Sequence, residues 1–125
     1  MRADSLPPLK APTIVCVQAG NVNTGAFDPF PEICERAHAV SGWVHVDGAF
    51  GLWATTAPIA AHLTTGLVNA DSWATDFHKW LNVPYDAGVI ICKDPKNLHE
   101  ALSVSAAYLP DEVEPDPFFY TPEIP

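Results

Sequence analysis

The chain has 125 residues, 48% of them hydrophobic, which is enough to bury the core of one ordinary domain. Acidic residues outnumber basic ones by 15 to 6, and the formal net charge of −9 makes nucleic acid and anionic membrane surfaces poor partners. No segment approaches the roughly 20 apolar residues that span a bilayer, and the N-terminus lacks the apolar run of a signal peptide. The three cysteines, Cys16, Cys34 and Cys92, are expected to be reduced, buried thiols, so the composition predicts a soluble cytoplasmic protein.

Strand and helix patterns alternate along the chain. A short β-branched run at 13–18 predicts a strand buried on both faces, and further strands are predicted at 43–46, 70–75 and 89–92. Helical patterns, the second of them weak, cover 30–40, 57–63 and 96–101. This alternation indicates an α/β sheet with crossover connections, in which the fourth strand follows the third closely enough to run antiparallel to it.

Three domain segments are predicted: a polar lead-in at 1–12, an α/β unit at 13–107 and an irregular Pro- and acid-rich segment at 108–125. Ligands of α/β sheets bind beyond the carboxyl ends of the strands. The segments 18–21, 47–49 and 78–79 directly follow strands, so they are expected to converge.

Lys79 stands between His78 and Trp80 in a stretch that otherwise lacks positive charge. An amine held among apolar side chains loses hydration, which favours its neutral form and makes it a nucleophile towards carbonyls. The alternative is a snorkelling lysine, whose stem packs on Trp80 while its head group reaches water.

His45 and Asp47 lie on one face of the second predicted strand, because strand side chains alternate with period two. A metal site completed by His62, His78 or His99 is one interpretation, and an ordinary hydrogen-bonded strand end is another. No arginine follows Arg36 to hold an acidic cosubstrate, and no metal site is predicted. In a third interpretation Asp47 is an anion aimed at a ring nitrogen and Lys79 condenses with an aldehyde, the two protein groups that pyridoxal phosphate most needs.

Three blocks carry a family resemblance: TIVCVQAGNVNTGAFDPF, WVHVDGAFGLWA and ADSWATDFHKWLNVPYDAGVIICKD. In this order they resemble consecutive signatures of the pyridoxal-phosphate-dependent group II decarboxylases, the aromatic-amino-acid and glutamate decarboxylase relatives. The resemblance covers residues 13–94. It implies that 13–107 is part of the large domain of a fold type I, aspartate aminotransferase-like enzyme, with a mixed, mostly parallel sheet and flanking helices.

The resemblance also implies roles for single residues. Lys79 matches the lysine that forms the internal aldimine, and Asp47 matches the aspartate that pairs with the pyridinium. His78 matches a histidine associated with the phosphate, and Ala49 matches the small residue that packs against the cofactor ring.

Two further positions match cofactor-binding residues of the family less closely. Asp76 stands where many relatives carry an asparagine near the phosphate, and a carboxylate there would repel the phosphate unless it points away. Asn23 lies in a turn that is near the cofactor in relatives. The alternative for this turn is a purely backbone-capping role.

The activity implied is that of an amino-acid carboxy-lyase, or a fragment of one, acting on a small amino-acid substrate. Aminotransferase or other lyase chemistry on the same fold is an alternative, and a non-catalytic interaction fragment is another. Family members are several times longer and are obligate dimers, which implies a homodimer for the full-length protein. The resemblance places the phosphate-binding loop upstream and the small domain downstream of these residues.

Overall fold

The computed structural model describes residues 1–102, which fall into two compact units. The first unit, Met1–Lys93, contains β1 (Ile14–Gln18), α1 (Phe30–His38), β2 (Trp43–Asp47), β3 (Ser72–Asp76), α2 (Phe77–Trp80) and β4 (Gly88–Cys92). The second unit begins at Asp94, and its described part forms α3 (Pro95–Leu102). Within residues 1–102, no helix combines the length and apolar character needed to cross a bilayer. The predicted irregular segment 108–125 lies outside the described residues.

The four strands form one sheet in the order β1-β2-β3-β4. The first three strands are parallel, and β4 is antiparallel to β3. Gln18 pairs with Asp47, and Asp47 pairs with Ala74, so the carboxyl ends of β1 and β2 are level. The prediction of an α/β, mostly parallel sheet is confirmed, including the antiparallel fourth strand.

Helix α1 covers one face of the sheet. Four fully buried or nearly buried residues at helical spacing point inward, Phe30, Ile33, Cys34 and Ala37. They meet the buried side chains that alternate along β1 and β2, Val15, Val17, Val44 and Val46. This core fixes the faces of the strands and therefore the direction in which their last residues point.

The opposite face of β1 is accessible, so the prediction of a strand buried on both faces is wrong. Ile14 is 70% exposed and Cys16 is also exposed, because they alternate with the valines that face α1. The prediction of buried thiols is therefore wrong for Cys16 and Cys92, of which the latter is half-buried. It is confirmed for Cys34, where burial raises the pKa of the thiol.

The predicted helix at 57–63 is also wrong, since this region forms 3-10 turns at Leu52–Thr56 and Ala61–Thr64. Threonine hydroxyls compete for the carbonyls that a longer helix would use: Thr55 Oγ1 donates to the Leu52 carbonyl and Thr64 Oγ1 to that of Ala61, both at 2.9 Å. Pro58 lacks an N–H and disfavours a helical conformation at the preceding residue. Short 3-10 turns satisfy these constraints, because each needs only one or two backbone hydrogen bonds.

The N-terminal segment packs on the first unit. Ala3, Leu6 and Leu9 are partly buried against the core. Arg36 on α1 donates from Nη2 to the carbonyls of Leu6, at 3.0 Å, and Pro7, at 3.2 Å. Residues that look like a polar lead-in in the sequence thus contribute apolar side chains and backbone carbonyls to this unit.

The loops after β1 and β2 approach each other at two glycines, Gly20 and Gly51. A Cβ on Gly51 would lie 2.5 Å from the Ala19 carbonyl oxygen and 2.8 Å from the Gly20 nitrogen, both rigid backbone atoms. We expect Gly51→Ala to destabilise the full-length protein by about 2 kcal/mol, seen as a lower unfolding midpoint in the cofactor-free state.

Gly25→Ala is the matched control for this prediction. Gly25 has a φ of +68°, but a Cβ added to it would meet no atom within 4 Å, so alanine there adds only a conformational cost of about 1 kcal/mol. Equal effects of the two substitutions would contradict the close approach of the two loops.

Candidate active site

The carboxyl ends of the three parallel strands meet at one edge of the sheet, as the sequence predicts. Ala19 N donates to the Asp47 carbonyl and Gly48 N to the Ala74 carbonyl, each at 2.8 Å. The Thr75 hydroxyl, which is buried, donates to the Gly48 carbonyl at 3.1 Å. These bonds join the segments that follow β1 and β2 to the end of β3.

Asp47 ends β2 with an exposed side chain. Its Oδ1 accepts a hydrogen bond from the backbone N–H of Ala49 at 3.1 Å, so the carboxylate also orders the turn that places Ala49. Because Asp47 pairs with Ala74, and Asp76 lies two residues further along β3, both aspartates point to the same face. Strand spacing and rise put their Cα atoms about 8 Å apart.

Lys79 lies in α2, the single helical turn that follows β3. Its Nζ is 2.5 Å from Asp76 Oδ2 and 4.1 Å from the centroid of the Phe50 ring, while 27% of its side chain is exposed. An ammonium group this close to an aromatic face is attracted by the ring quadrupole. The head group is thus held by a carboxylate and a ring, which differs from a snorkelling lysine with its head in water.

The carboxylate of Asp76 points at Lys79. The hydrogen bond from Lys79 lowers the pKa of Asp76 below its ordinary value of 3.8, and the small desolvation of the group opposes this shift. In the described residues, the Asp76 carboxylate therefore points towards the Lys79 amine.

The sign of this shift gives a pH prediction. A depressed carboxyl pKa means that the pair stabilises the fold above pH 3.8 and that this contribution is lost as the pH falls through the lowered pKa. In an NMR titration of the Asp76 side chain, we expect the midpoint to lie below 3.8 and to rise in Lys79→Met. An unchanged midpoint in that variant would contradict the assignment of the shift to Lys79.

His78 is fixed by the segment that leads into β4. Its side chain is only 9% exposed, Nδ1 accepts the backbone N–H of Ala87 at 3.2 Å, and the ring stacks on Tyr85 at 4.1 Å between centroids. Because Nδ1 accepts, the neutral ring carries its proton on Nε2. The side chain therefore presents a donor in a set orientation.

Asn21, rather than Asn23, organises the turn after β1. Asn21 Oδ1 accepts the backbone N–H groups of Asn23, at 3.0 Å, and Thr24, at 3.1 Å, and its Nδ2 donates to Gln18 Oε1 at 2.6 Å. This is an Asx-type turn, in which the Asn side chain replaces a backbone acceptor. Asn23 is exposed and contributes its backbone to the turn, and a cofactor contact of its side chain stays a prediction.

His45 is part of a hydrogen-bonded strand pair. Its Nδ1 lies 2.8 Å from the Ser72 hydroxyl on β3, which also accepts from Trp43 Nε1 at 2.8 Å. Among residues 1–102, no three His, Cys, Asp or Glu side chains are arranged to hold a metal ion.

The sequence assigns no individual role to three residues of this edge, Phe50, Tyr85 and Asn21, although Asn21 lies in the segment 18–21 that is expected to converge there. The spacing of Asn21 and Thr24 is a turn signal that identifies Asn21. The partnerships of Phe50 and Tyr85 depend on tertiary contacts, and no local pattern indicates them. Beside the site, an apolar cavity of about 310 Å³ is bounded by Val22, Phe27, Phe50, Leu63 and Trp80, among others.

The sequence profile described as "Pyridoxal-dependent decarboxylase conserved domain" matches residues 9–121. The chain belongs to the pyridoxal-dependent decarboxylase family. The L-tyrosine/L-DOPA decarboxylase 2 of Lophophora williamsii is one of its relatives. The two sequences are 36% identical over 78% of this chain and 19% of the relative. The phenylacetaldehyde synthase of Petunia hybrida is 36% identical over the same shares.

A solved relative shows the same fold. The crystal structure of Oryza sativa TDC with PLP and tryptamine superposes with a TM-score of 0.71 and 31% identity, over 81% of this chain and 21% of that one. The decarboxylase-family chain thus spans about a fifth of the length of the relatives it matches.

Proposed function

We propose that the chain is part of a pyridoxal-phosphate-dependent amino-acid decarboxylase in which Lys79 holds the cofactor. The observation that supports this most is that the Lys79 amine lies 2.5 Å from Asp76 Oδ2, while Asp76 shares a face and an edge of the sheet with Asp47. Family membership and the structure of a relative with PLP support the same cofactor.

The donor set at this edge suits the cofactor. An amine is needed for the aldehyde and an anion for the ring nitrogen, and Lys79 and Asp47 are of these types. Ala49, two residues after Asp47 in the turn, has a side chain small enough to leave room for a flat ring. Pyridoxal phosphate, when bound, supplies an electron sink for the electron pair left on Cα when carbon dioxide departs.

Each residue has a separate task in this proposal. The Asp47 carboxylate keeps a proton on the ring nitrogen, since an anion beside a cationic nitrogen favours the protonated form. His78 donates from Nε2 towards the phosphate, in the orientation set by Ala87 and Tyr85. Asn23, in the turn after β1, is assigned a weaker contact with the cofactor. Asp76 is assigned no phosphate contact, because its carboxylate is an anion that would repel the phosphate. The remaining phosphate contacts are assigned to other parts of the full-length protein.

We assign an aromatic amino acid as substrate, because one relative is named for tyrosine and DOPA and a structural relative contains tryptamine. The full-length protein is proposed to be a cytoplasmic homodimer. A second candidate is oxidative aldehyde formation, in which dioxygen takes up two electrons and ammonia leaves with the carbon dioxide. It is supported by the phenylacetaldehyde synthase, which is as similar to this chain, at 36% identity, as the tyrosine/DOPA decarboxylase is.

The test uses the full-length protein with added pyridoxal phosphate. Aromatic and acidic amino acids are supplied in turn, and carbon dioxide, amine and aldehyde are measured separately. We expect carbon dioxide and amine in equal amounts from an aromatic substrate. Carbon dioxide with aldehyde in place of amine would favour the second candidate, and amino-group transfer to a keto acid without carbon dioxide would overturn both.

A further inference from the structure

The carboxylate of Asp76 is available to Lys79 because it does not cap a helix. Asp76 is the residue directly before α2, a position where an aspartate commonly accepts a backbone N–H of the first turn, yet its side chain makes no such bond. Instead, the N–H groups of Phe77 and His78 donate to the carbonyl of Ala87, at 2.8 and 3.4 Å. The segment before β4 thus takes over the capping role.

The Asp76 side chain reaches one helical turn onward to the Lys79 Nζ at 2.5 Å. The Phe50 ring bounds the same ammonium group, with its centroid 4.1 Å away. Phe50 comes from the loop after β2, so the amine is held between groups from two different strand ends. Two contacts of this kind restrict a side chain that would otherwise sample many rotamers.

This arrangement has a chemical consequence for an amine that must attack an aldehyde. An ammonium group that donates to a carboxylate has no lone pair to offer. Lys79 must lose one proton to solvent and leave Asp76 before its lone pair can form a C–N bond with the aldehyde carbon, whose oxygen then leaves as water.

We propose that Asp76 is a positioning residue for Lys79, which in the cofactor-free protein holds the ammonium group against the Phe50 ring and restrains its reaction with an aldehyde. The proposal rests on the proposed function only in taking Lys79 as the lysine that reacts with the cofactor. It differs from a phosphate contact, the role that the family resemblance implies for position 76.

The test measures the reactivity of Lys79 without cofactor. Cofactor-free full-length protein is treated at neutral pH with a trace of acetic anhydride, and peptide mass spectrometry gives the acetylation of Lys79 relative to that of exposed Lys93 in the same molecule. Because ion pairs within reach of water are weak, we expect Asp76→Asn to raise this ratio by about two- to fivefold. Asp76→Ser serves as a second neutral variant if the first does not fold, and Asp76→Glu should keep the ratio near that of the unmodified protein.

Asp86→Asn is the matched control. It removes one negative charge from an exposed side chain near His78, whose Nδ1 is 3.9 Å from Asp86 Oδ1, while leaving the pair with Lys79 in place. The ratio should not change in this variant. No rise in Asp76→Asn and Asp76→Ser, or an equal rise in Asp86→Asn, would overturn the proposal.

A second measurement separates this proposal from the proposed function. Pyridoxal phosphate is added to the same samples and the absorbance band of the lysine-bound cofactor is followed, with Lys79→Ala as the blank. If the band depends on Lys79 but the acetylation ratio is unchanged in the Asp76 variants, the proposed function is supported and the role of Asp76 is contradicted. Raised acetylation without any such band would support the pairing and count against Lys79 as the cofactor lysine.

Discussion

Replacing Lys79 by alanine in the full-length protein is expected to abolish the absorbance band of lysine-bound cofactor and to lower the decarboxylation rate by about 10³-fold or more. The reason is the loss of the amine that lies at the carboxyl end of β3, between Asp76 and Phe50. The measurement is single-turnover carbon dioxide release from saturated enzyme, together with the absorbance spectrum.

Lys93→Ala is the control for this substitution. Lys93 is an exposed lysine directly after β4, at the end of that strand that lies away from Asp76. Its backbone N–H donates to the Asp71 carbonyl at 2.9 Å, and alanine retains this bond. This variant should keep both band and rate. If Lys79→Ala retained the band while Lys93→Ala lost it, the assignment of the cofactor lysine would be wrong.

The positions of the strands along the chain could be predicted from the sequence because the strands are short and bounded by turn-forming residues. Their runs start and stop at glycine, proline and aspartate, and the observed strands differ from the predicted ones by one or two residues. The antiparallel β4 also follows from the sequence, since the segment between β3 and β4 is too short for a crossover.

Burial could not be predicted in the same way. An apolar run such as that of β1 is typical of a strand covered on both faces, yet α1 covers only one face in the described residues, and Ile14 and Cys16 stay accessible. Which faces are covered depends on neighbours that a local pattern does not contain.

In the candidate site, too, residue positions can be predicted from the sequence but side-chain contacts cannot. Asp47 and Lys79 are predictable as a set because one ends a strand and the other follows a strand, and parallel strands bring such positions to one edge. The pairing of Asp76 with Lys79 cannot be predicted from the sequence, because it depends on the Ala87 carbonyl accepting the first N–H groups of α2, which leaves the carboxylate free. The contact of Phe50 with Lys79 likewise requires the two strand-end loops to be in place.

Asp47→Asn is expected to keep the lysine-bound cofactor but to lower the decarboxylation rate by about 10²-fold or more. Asparagine retains an oxygen that can accept the Ala49 N–H, now 3.1 Å from Asp47 Oδ1, so the turn and Ala49 should stay in place. What is lost is the negative charge that keeps a proton on the ring nitrogen, and with it the electron-withdrawing power needed when carbon dioxide leaves.

Two further variants separate the charge of Asp47 from its hydrogen bond to Ala49. Glu35→Gln removes the same charge from the exposed side of α1, away from the strand ends, and should leave the rate unchanged. Asp47→Ala removes both the charge and the acceptor for Ala49, so it should bind the cofactor more weakly than Asp47→Asn does. Equal cofactor affinity in the two variants would mean that the carboxylate has no part in ordering the turn. A rate in Asp47→Asn like that of the unmodified enzyme would remove Asp47 from the reaction, because a neutral amide cannot hold a proton on the ring nitrogen as an anion can.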